Sequence, residues 1–366
     1  MHPLRVDIRA AIGGYPVLIG DGLTDRLGSL LDEHGVGTRR IVVSNPVVWR
    51  IHGERIGSAL GSPEAILVPD GERHKHLASV SRIYEALVRA DADRGSVVVA
   101  VGGGVIGDIA GFAAATYLRG IGLVQVPTTV LAQVDASIGG KVGVNLAAGK
   151  NLVGAFYPPL LVATDPAVLH TLSRREYRAG LYEVIKYGMA CSGELFERLQ
   201  AASAHLADPD TGALAPLITE CCRIKASIVS ADERETGPRR VLNFGHTAGH
   251  AIETLTEYRR FRHGEAVAWG MLVASQVAVA RGLLNGSSHD ALKALIMKLG
   301  PLPPIADLAA GELVAAMRRD KKIVDGTLHV VLPTGIGAAS IAGDVTEREL
   351  TDALARVGSG PGGTEG

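Results

Sequence analysis

Three histidines, His246, His250 and His263, fall within 18 residues of one another. In NFGHTAGHAIE the first two stand four apart, a spacing that turns two imidazoles of one helix toward a common point. Thr247 and Ala248 occupy the places where H-E-x-x-H has its Glu and the next residue, so zinc-protease chemistry is excluded. Upstream, EVIK sets the Glu183 carboxylate and the Lys186 ammonium three apart on one helix face, where a plain surface ion pair would also put them. Two or three imidazoles with one helix carboxylate can make a His2Glu divalent-metal site that keeps coordination positions open. Spacing alone leaves both His246 and His250 in that ligand set, beside His263 and Glu183.

A second group suits phosphate. The apolar run SVVVAV leads into Gly102, Gly103, Gly104, Val105, Ile106, Gly107 and Asp108, then into the helical pattern AGFAAATYL. This is G-x-G-x-x-G in a strand–turn–helix context, where glycines admit a pyrophosphate and a helix N-terminus offers free N–H groups. Two features set it apart from an ordinary Rossmann site. It begins about a hundred residues into the chain, and Gln125 is read at the end of the next strand where an acid would grip a ribose. DGERHK supplies Asp70, Gly71, Glu72 and Lys75 directly after another strand-like run, EAILVP. The stretch 125–151 holds Thr128, Thr129, Asp135, Lys141, Asn145, Lys150 and Asn151 among glycines. Ammonium and amide donors beside pliant backbone match a phosphorylated or polyhydroxylated ligand. No G-x-x-x-x-G-K-[ST] occurs, which argues against an ATPase P-loop.

Composition narrows the classes. With Lys+Arg 37 against Asp+Glu 38 the net charge is −1, so no overall basic field attracts nucleic acid or an anionic membrane. Three cysteines, two of them adjacent (Cys221 and Cys222), make neither a disulfide framework nor a metal knuckle and fit a reducing cytoplasm. The start lacks an apolar leader, and no run reaches the ~18 apolar residues of a membrane span. Glycine is over-represented, at 46 of 366 residues, and 12 of these lie between Gly102 and Gly154. Close backbone approach to a ligand explains that cluster better than any repeat.

The elements that must position these residues follow from periodicity. RVDIRA (5–10) and YPVLIG (15–20) read as a strand pair joined through Gly13 and Gly14. RRIVVSN, EAILVP, SVVVAVGG, GLVQVP and LLVATD read as further strands, several of them apolar at nearly every position, as in sheets buried on both faces. The stretch 76–90 has the apolar spacing of an amphipathic helix. Strands alternating with helices indicate an α/β Rossmann-like domain with a mostly parallel sheet. Beyond Asp165 the pattern turns helical, with one late hairpin at 328–343. The expected organisation is an α/β domain over 1–165, an all-helical metal- and substrate-binding domain over 166–357, and a disordered Gly-rich tail over 358–366.

GGGVIGDIAGFAAATYLRG, QVPTTVLAQVDASIGGKVGVN, GKNLVGAFYPP, EVIKYG, DERETG, LNFGHTAGHAIE, HGEAV and DKK occur in that order. Together, over roughly 40–330, they resemble the 3-dehydroquinate synthase family of sugar-phosphate cyclases. Val142 stands where the family usually has Thr, Ala248 where an aromatic is common, and Ser44-Asn45-Pro46 where an acid often meets the adenosine ribose. The resemblance implies two domains with the active site between them, and a homodimer acting on a phosphorylated sugar acid with NAD and zinc or cobalt. It implies transient oxidation of a ring carbinol, phosphate elimination, reduction, ring opening and aldol closure, with NAD regenerated each turnover.

By resemblance the metal ligands are Glu183, His246 and His263, and His250 serves the substrate phosphate and proton movement. Lys141, Asn151 and Lys321 resemble phosphate-side donors, and Arg119 reaches a neighbouring subunit's site. Lys225 and Arg234 resemble carboxylate-side or hydroxyl-side donors; Asp135, Lys186 and Asn243 hold ring hydroxyls. The cofactor side takes Asp70, Gly71, Glu72, Lys75, Gly103 through Asp108, Thr128, Thr129, Lys141, Lys150, Val168, Thr171 and Leu172. The rival readings are another cyclase, of the inosose or valiolone synthase type, a metal-dependent alcohol dehydrogenase, and a catalytically silent ligand-binding or scaffold protein.

Overall fold

The computed structural model describes residues 3–9, 13–61, 64–206, 209, 211–319, 323–324 and 327–358. The chain forms two compact units, Met1–Ser173 with Pro209–Arg234, and Arg174–Asp208 with Glu235–Gly366. A single boundary near 165 therefore misses one excursion. The helix Thr211–Ala231 follows the opening helices of the second unit in sequence but belongs to the first. Its contacts there include the pairing of Lys225 with Asp135 and the Cys222 thiol donating to the Gln133 carbonyl at 3.4 Å.

In the first unit, β1 (Leu4–Ile8), β2 (Tyr15–Ile19), β3 (Arg40–Ser44), β4 (Ala65–Leu67), β5 (Val97–Gly102), β6 (Gly122–Pro127) and β9 (Leu161–Thr164) form one sheet. Its order is β1-β2-β9-β6-β5-β3-β4, antiparallel only at β1–β2, and all seven strands are those expected from the apolar runs. Helices cover both faces. Val97, Val99 and Val101 pack with α1 (Leu27–Glu33) and α2 (Pro46–Ala59) through Leu27, Leu31 and Ile56. The alternate residues Val98 and Ala100 pack with α3 (Leu77–Arg89) and α4 (Gly104–Thr116) through Ile83, Leu87 and Ile109. A strand with no solvent face has no reason to alternate.

The hairpin of β7 (Lys141–Leu146) and β8 (Gly149–Phe156) was not legible as strands. It packs on α4, where Gly111 leaves so little room that an added Cβ would lie 2.4 Å from Val142 Cγ1. Val142, 6% exposed, is a core residue under the hairpin, so the departure there is a matter of packing. The sheet changes its direction of growth between β3 and β5, since β4 adds beyond β3 while β5 returns to its other side. In open parallel sheets ligands bind beyond the strand C-termini at such a point.

The second unit is mainly helical: α5 (Arg174–Cys191), α6 (Gly193–Ala202), α8 (His246–Leu255), α9 (His263–Ala280), α10 (Gly286–Leu299), α11 (Ala310–Met317) and α12 (Glu347–Gly358), the helix of the excursion being α7. A two-residue pair, β10 (Ile323–Val324) with β11 (Thr327–Leu328), precedes the expected hairpin, found as β12 (Val330–Gly335) with β13 (Ala338–Ala342). α5 is buried from Ala179 to Ala190, and α9 nearly throughout. Helices buried all round form the middle of a helical core. The expected tail beyond Gly358 lies outside the described residues. Among the described residues no helix is long and apolar enough to cross a membrane.

One clamp in this unit gives a pH test. Arg281, closing α9, donates to both oxygens of Glu349 at 2.6 and 2.9 Å and to Asp344 Oδ1 at 2.7 Å. Glu349 also accepts from the Thr346 backbone N–H at 2.8 Å, and its own N–H donates to Thr346 Oγ1 at 3.3 Å, a reciprocal capping box. Arg281 and the Thr346 donors hold the Glu349 carboxyl down to about 2. A depressed carboxyl contributes stability that is present above its unfolded pKa and lost as pH falls through its folded one. Glu349→Gln should therefore cost about 1 kcal/mol at pH 7, discounted for partial exposure, and only a small fraction of that near pH 2. Denaturant melts at the two pH values check this; an equal loss at both refutes it.

Candidate functional site

Each unit carries its own polar cluster. In the first, the loops after β4, β5 and β6 bring together residues expected to touch a cofactor. Gly103 is the extended N-cap of α4 and no side chain caps that end, so its first N–H groups stay available to an anion. Thr128, 3% exposed, has its hydroxyl buried with no hydrogen-bond partner. A buried orphan hydroxyl is costly unless a ligand completes it. Thr129 accepts from the Ala132 N–H at 3.1 Å and packs against Gly103. At Gly104 a Cβ would lie 3.0 Å from Ala136 Cβ, so the glycine is required by the neighbouring turn as well as by any ligand. Gly107 is held by packing: Gln125 Oε1 is 2.8 Å from where its Cβ would be, and Gln125 Nε2 donates to the Gly107 carbonyl.

That corrects the reading of Gln125. It lies within β6, 6% exposed and under α4, so it marks no ribose position. Ile106, 1% exposed, belongs to the core, and only its backbone can face a ligand.

Lys75, 4% exposed, pairs with Asp108 and donates to Asn151 Oδ1 at 2.6 Å. Burial works against its ammonium, but the Asp108 and Glu72 carboxylates outweigh that and its pKa is raised. Asn145 ties the group together. It donates to Glu72 Oε1 at 2.8 Å and accepts from the Asn151 N–H at 2.8 Å. Lys150 Nζ is 3.9 Å from Glu72 Oε1, and Asp70 accepts from Asn45 Nδ2 at 3.3 Å. Asn45 also caps α2 by accepting from the Val48 N–H. Beyond β9, Val168 is buried, while Thr171 accepts from or donates to His52 Nε2 at 3.0 Å. Leu172 is half-buried and Lys141 exposed.

Asp135 sits on a π-turn, Ala132–Ala136, and meets Lys225 from α7; both were expected to face substrate. Burial pushes the neighbouring Cys222 thiol up to about 12, so it is no nucleophile at neutral pH. Arg119 stands exposed on a turn where Leu118 and Arg119 both have positive φ, 49° and 68°. Arg234 is exposed. Lys321 lies outside the described residues.

In the second unit, Glu183 sits mid-α5 at 0% exposure. Its Oε1 is 3.8 Å from His246 Nε2 at the head of α8 and 3.6 Å from His263 Nε2 at the head of α9. The three donor atoms lie within 4.8 Å of one another. Lys186 Nζ is 2.6 Å from Oε2, yet no hydrogen bond of acceptable angle reaches either oxygen of Glu183. Lys186 supplies one countercharge at Oε2, and Oε1, which faces the two imidazoles, is left for a divalent cation among these three ligands. The donor set thus fits a metal. His246 Nδ1 meets the Phe244 carbonyl at 3.1 Å, which leaves the Nε2 lone pair on the side of Glu183.

His250 sits one turn on, its ring 5.5 Å from that of His246. It falls in a different donor group, with Glu253 and His263. Asn243 donates to Glu235 Oε1 at 2.5 Å. Three residues here escaped the sequence reading: Glu253, Glu235 and Arg239, the last only 3% exposed in the turn Pro238–Asn243 that carries Asn243. They stand in HAIE and RETGPRRVLN, where an acid on a helix or a basic pair in a loop is ordinarily a solvated surface group.

Comparison with known proteins adds a separate line. Residues 65–179 match the family model described as 3-dehydroquinate synthase N-terminal, and 180–323 match 3-dehydroquinate synthase C-terminal. A curated relative, the 3-dehydroquinate synthase of Gloeobacter violaceus, is 47% identical over 359 residues, 97% of this chain and 98% of its own. Among solved structures, 2-epi-5-epi-valiolone synthase from Streptomyces hygroscopicus, with NAD+ and Zn2+ bound, superposes with TM-score 0.88 at 30% identity, covering 97% of this chain and 99% of that one. A 2-deoxy-scyllo-inosose synthase complexed with carbaglucose-6-phosphate, NAD+ and Co2+ gives TM-score 0.87 at 27% identity, over 96% and 99%.

Proposed function

We infer, from the premise that the chain belongs to the 3-dehydroquinate synthase family, that it converts 3-deoxy-D-arabino-heptulosonate 7-phosphate to 3-dehydroquinate and phosphate. It acts as a cytoplasmic, phosphate-eliminating lyase of the shikimate pathway with NAD+ and a divalent metal, zinc or cobalt, as resident groups. The observation that carries this reading is the convergence of His246 and His263 on the buried carboxylate of Glu183.

When bound, NAD+ supplies reversible hydride transfer at one ring carbinol, and the metal ion acidifies and polarises that carbinol. The protein does the rest. Glu183, His246 and His263 hold the ion. The open N-terminus of α4, with Thr128 and the group around Lys75, Glu72 and Asp108, binds the dinucleotide; Lys150, Thr129, Val168, Thr171 and Leu172 complete its contacts. Lys141, Asn151 and Lys321 bind substrate phosphate, and His250 moves a proton on that side. Asp135, Lys186 and Asn243 orient ring hydroxyls, while Lys225 and Arg234 meet the carboxylate or hydroxyls. Arg119 acts on the site of a second copy in a homodimer. The exposed turn that presents Arg119 supports this role, as does the Asp135–Lys225 pair for theirs.

The test is turnover of the heptulosonate phosphate with and without NAD+ and chelator. Phosphate and 3-dehydroquinate should form in equal amounts with only catalytic NAD+, and no net NADH should accumulate. Stoichiometric NADH would support a dehydrogenase instead. Turnover only of a phosphosugar without the carboxylate would support an inosose or valiolone synthase.

A further inference from the structure

We propose that Glu253 is the positioning residue of the metal centre: it fixes the tautomer of His263 and so decides which of two neighbouring donor groups can hold the ion. The proposal rests on the reading that Glu183, His246 and His263 bind a divalent metal.

His263 belongs to both donor groups, Glu183–His246–His263 and His250–Glu253–His263. Its two ring nitrogens face different ways. Nε2 is 3.6 Å from Glu183 Oε1, and Nδ1 is 3.2 Å from Glu253 Oε2, within hydrogen-bond distance. A neutral imidazole carries one proton, so only one of its nitrogens has a lone pair to give. Glu253 is 4% exposed on α8, ten residues before His263 in sequence. A buried carboxylate accepts strongly in low dielectric, so the proton stays on Nδ1. Nε2 is then the ligating atom, and the His250–Glu253–His263 group is silenced, because His263 has no lone pair at Nδ1, the nitrogen that faces Glu253. His246 is prepared in the same sense by the Phe244 carbonyl. Both imidazoles thus turn their lone pairs toward the buried Glu183 carboxylate.

The experiment uses the full-length chain stripped of metal. Zn2+ or Co2+ affinity is measured by competition with a chelating dye for wild type, Glu253→Ala, Glu253→Gln, His246→Ala and His250→Ala. Glu253→Ala should weaken binding about 10- to 100-fold, and Glu253→Gln, whose amide oxygen still accepts, should recover part of it. Nitrogen-15 spectra of histidine-labelled protein, assigned through His263→Ala, should show His263 protonated at Nδ1 in wild type and shifted toward Nε2 in Glu253→Ala. Unchanged affinity in a folded Glu253→Ala protein overturns the proposal. So does a wild-type His263 protonated at Nε2, whatever the variants do. A wild-type chain that binds no metal, or a His246→Ala protein that binds it normally, overturns the metal reading itself, a different result from insensitivity at Glu253 alone.

Discussion

His246→Ala and His263→Ala should each leave the purified protein without metal, while His250→Ala keeps its metal and loses activity. Removing one of three ligands leaves two that hold the ion poorly, and the affinity should fall by more than about 100-fold, beyond the loss from a supporting residue. The structure supplies the asymmetry that spacing lacked. His246 and His263 both approach Glu183 Oε1 within 4 Å, whereas His250 falls in the group of Glu253. His250→Ala should lower turnover by about 100-fold if it moves a proton. Elemental analysis of the dialysed proteins, with circular dichroism to confirm folding, decides the matter. A folded His250→Ala protein without metal would place His250 among the ligands, as its spacing from His246 allows.

How much of this was legible depended on whether a signal was local. The strands of the parallel sheet could be read because burial on both faces writes itself as unbroken apolar runs, as in Val97–Gly102. The glycine motif could be placed because strand, turn and helix are consecutive. The β7–β8 hairpin could not, since glycines and polar residues interrupt it and its burial comes from α4, some thirty residues earlier. Nor could α7 be assigned to the first unit. An apolar helix has no mark that says which core it joins; Lys225 meeting Asp135 ninety positions away does.

The metal site shows the same limit. Residue types announced it, but spacing left three histidines open and only the resemblance chose among them; a physical reason for the choice needs what each second ring nitrogen touches. Phe244 and Glu253 provide that, and neither a phenylalanine carbonyl nor a helix acid stands out in sequence. The burial of Arg239 was illegible for a similar reason. It and Arg234 are both loop arginines close in sequence, yet Arg239 is 3% exposed and Arg234 exposed, and residue type carries no sign of that.

Gly270→Ala should destabilise the second unit and loosen its metal site, against the usual direction of such a change. In an unobstructed helix interior Gly to Ala stabilises by about 0.5–1 kcal/mol. At Gly270, within α9, the new Cβ would lie 1.8 Å from the Gly245 carbonyl oxygen, which is backbone and cannot swing aside. The helices must separate by roughly an ångström, and overpacking of that kind costs about 3 kcal/mol or more. Gly245 is the N-cap of α8, held at φ 78°, and the next residue is His246. The same displacement that weakens packing therefore carries His246 away from His263 at the head of α9, and a site of three ligands tolerates little error in their separation. The expected result is a melting temperature lower by about 6–12 °C for the unit's transition, with weaker metal binding in the same protein. Gly311→Ala in α11, where a Cβ meets nothing within 4 Å, is the control and should hold or raise stability. If Gly270→Ala instead melts at or above wild type with its metal affinity intact, the α8–α9 contact is not what sets the distance between the two ligating histidines.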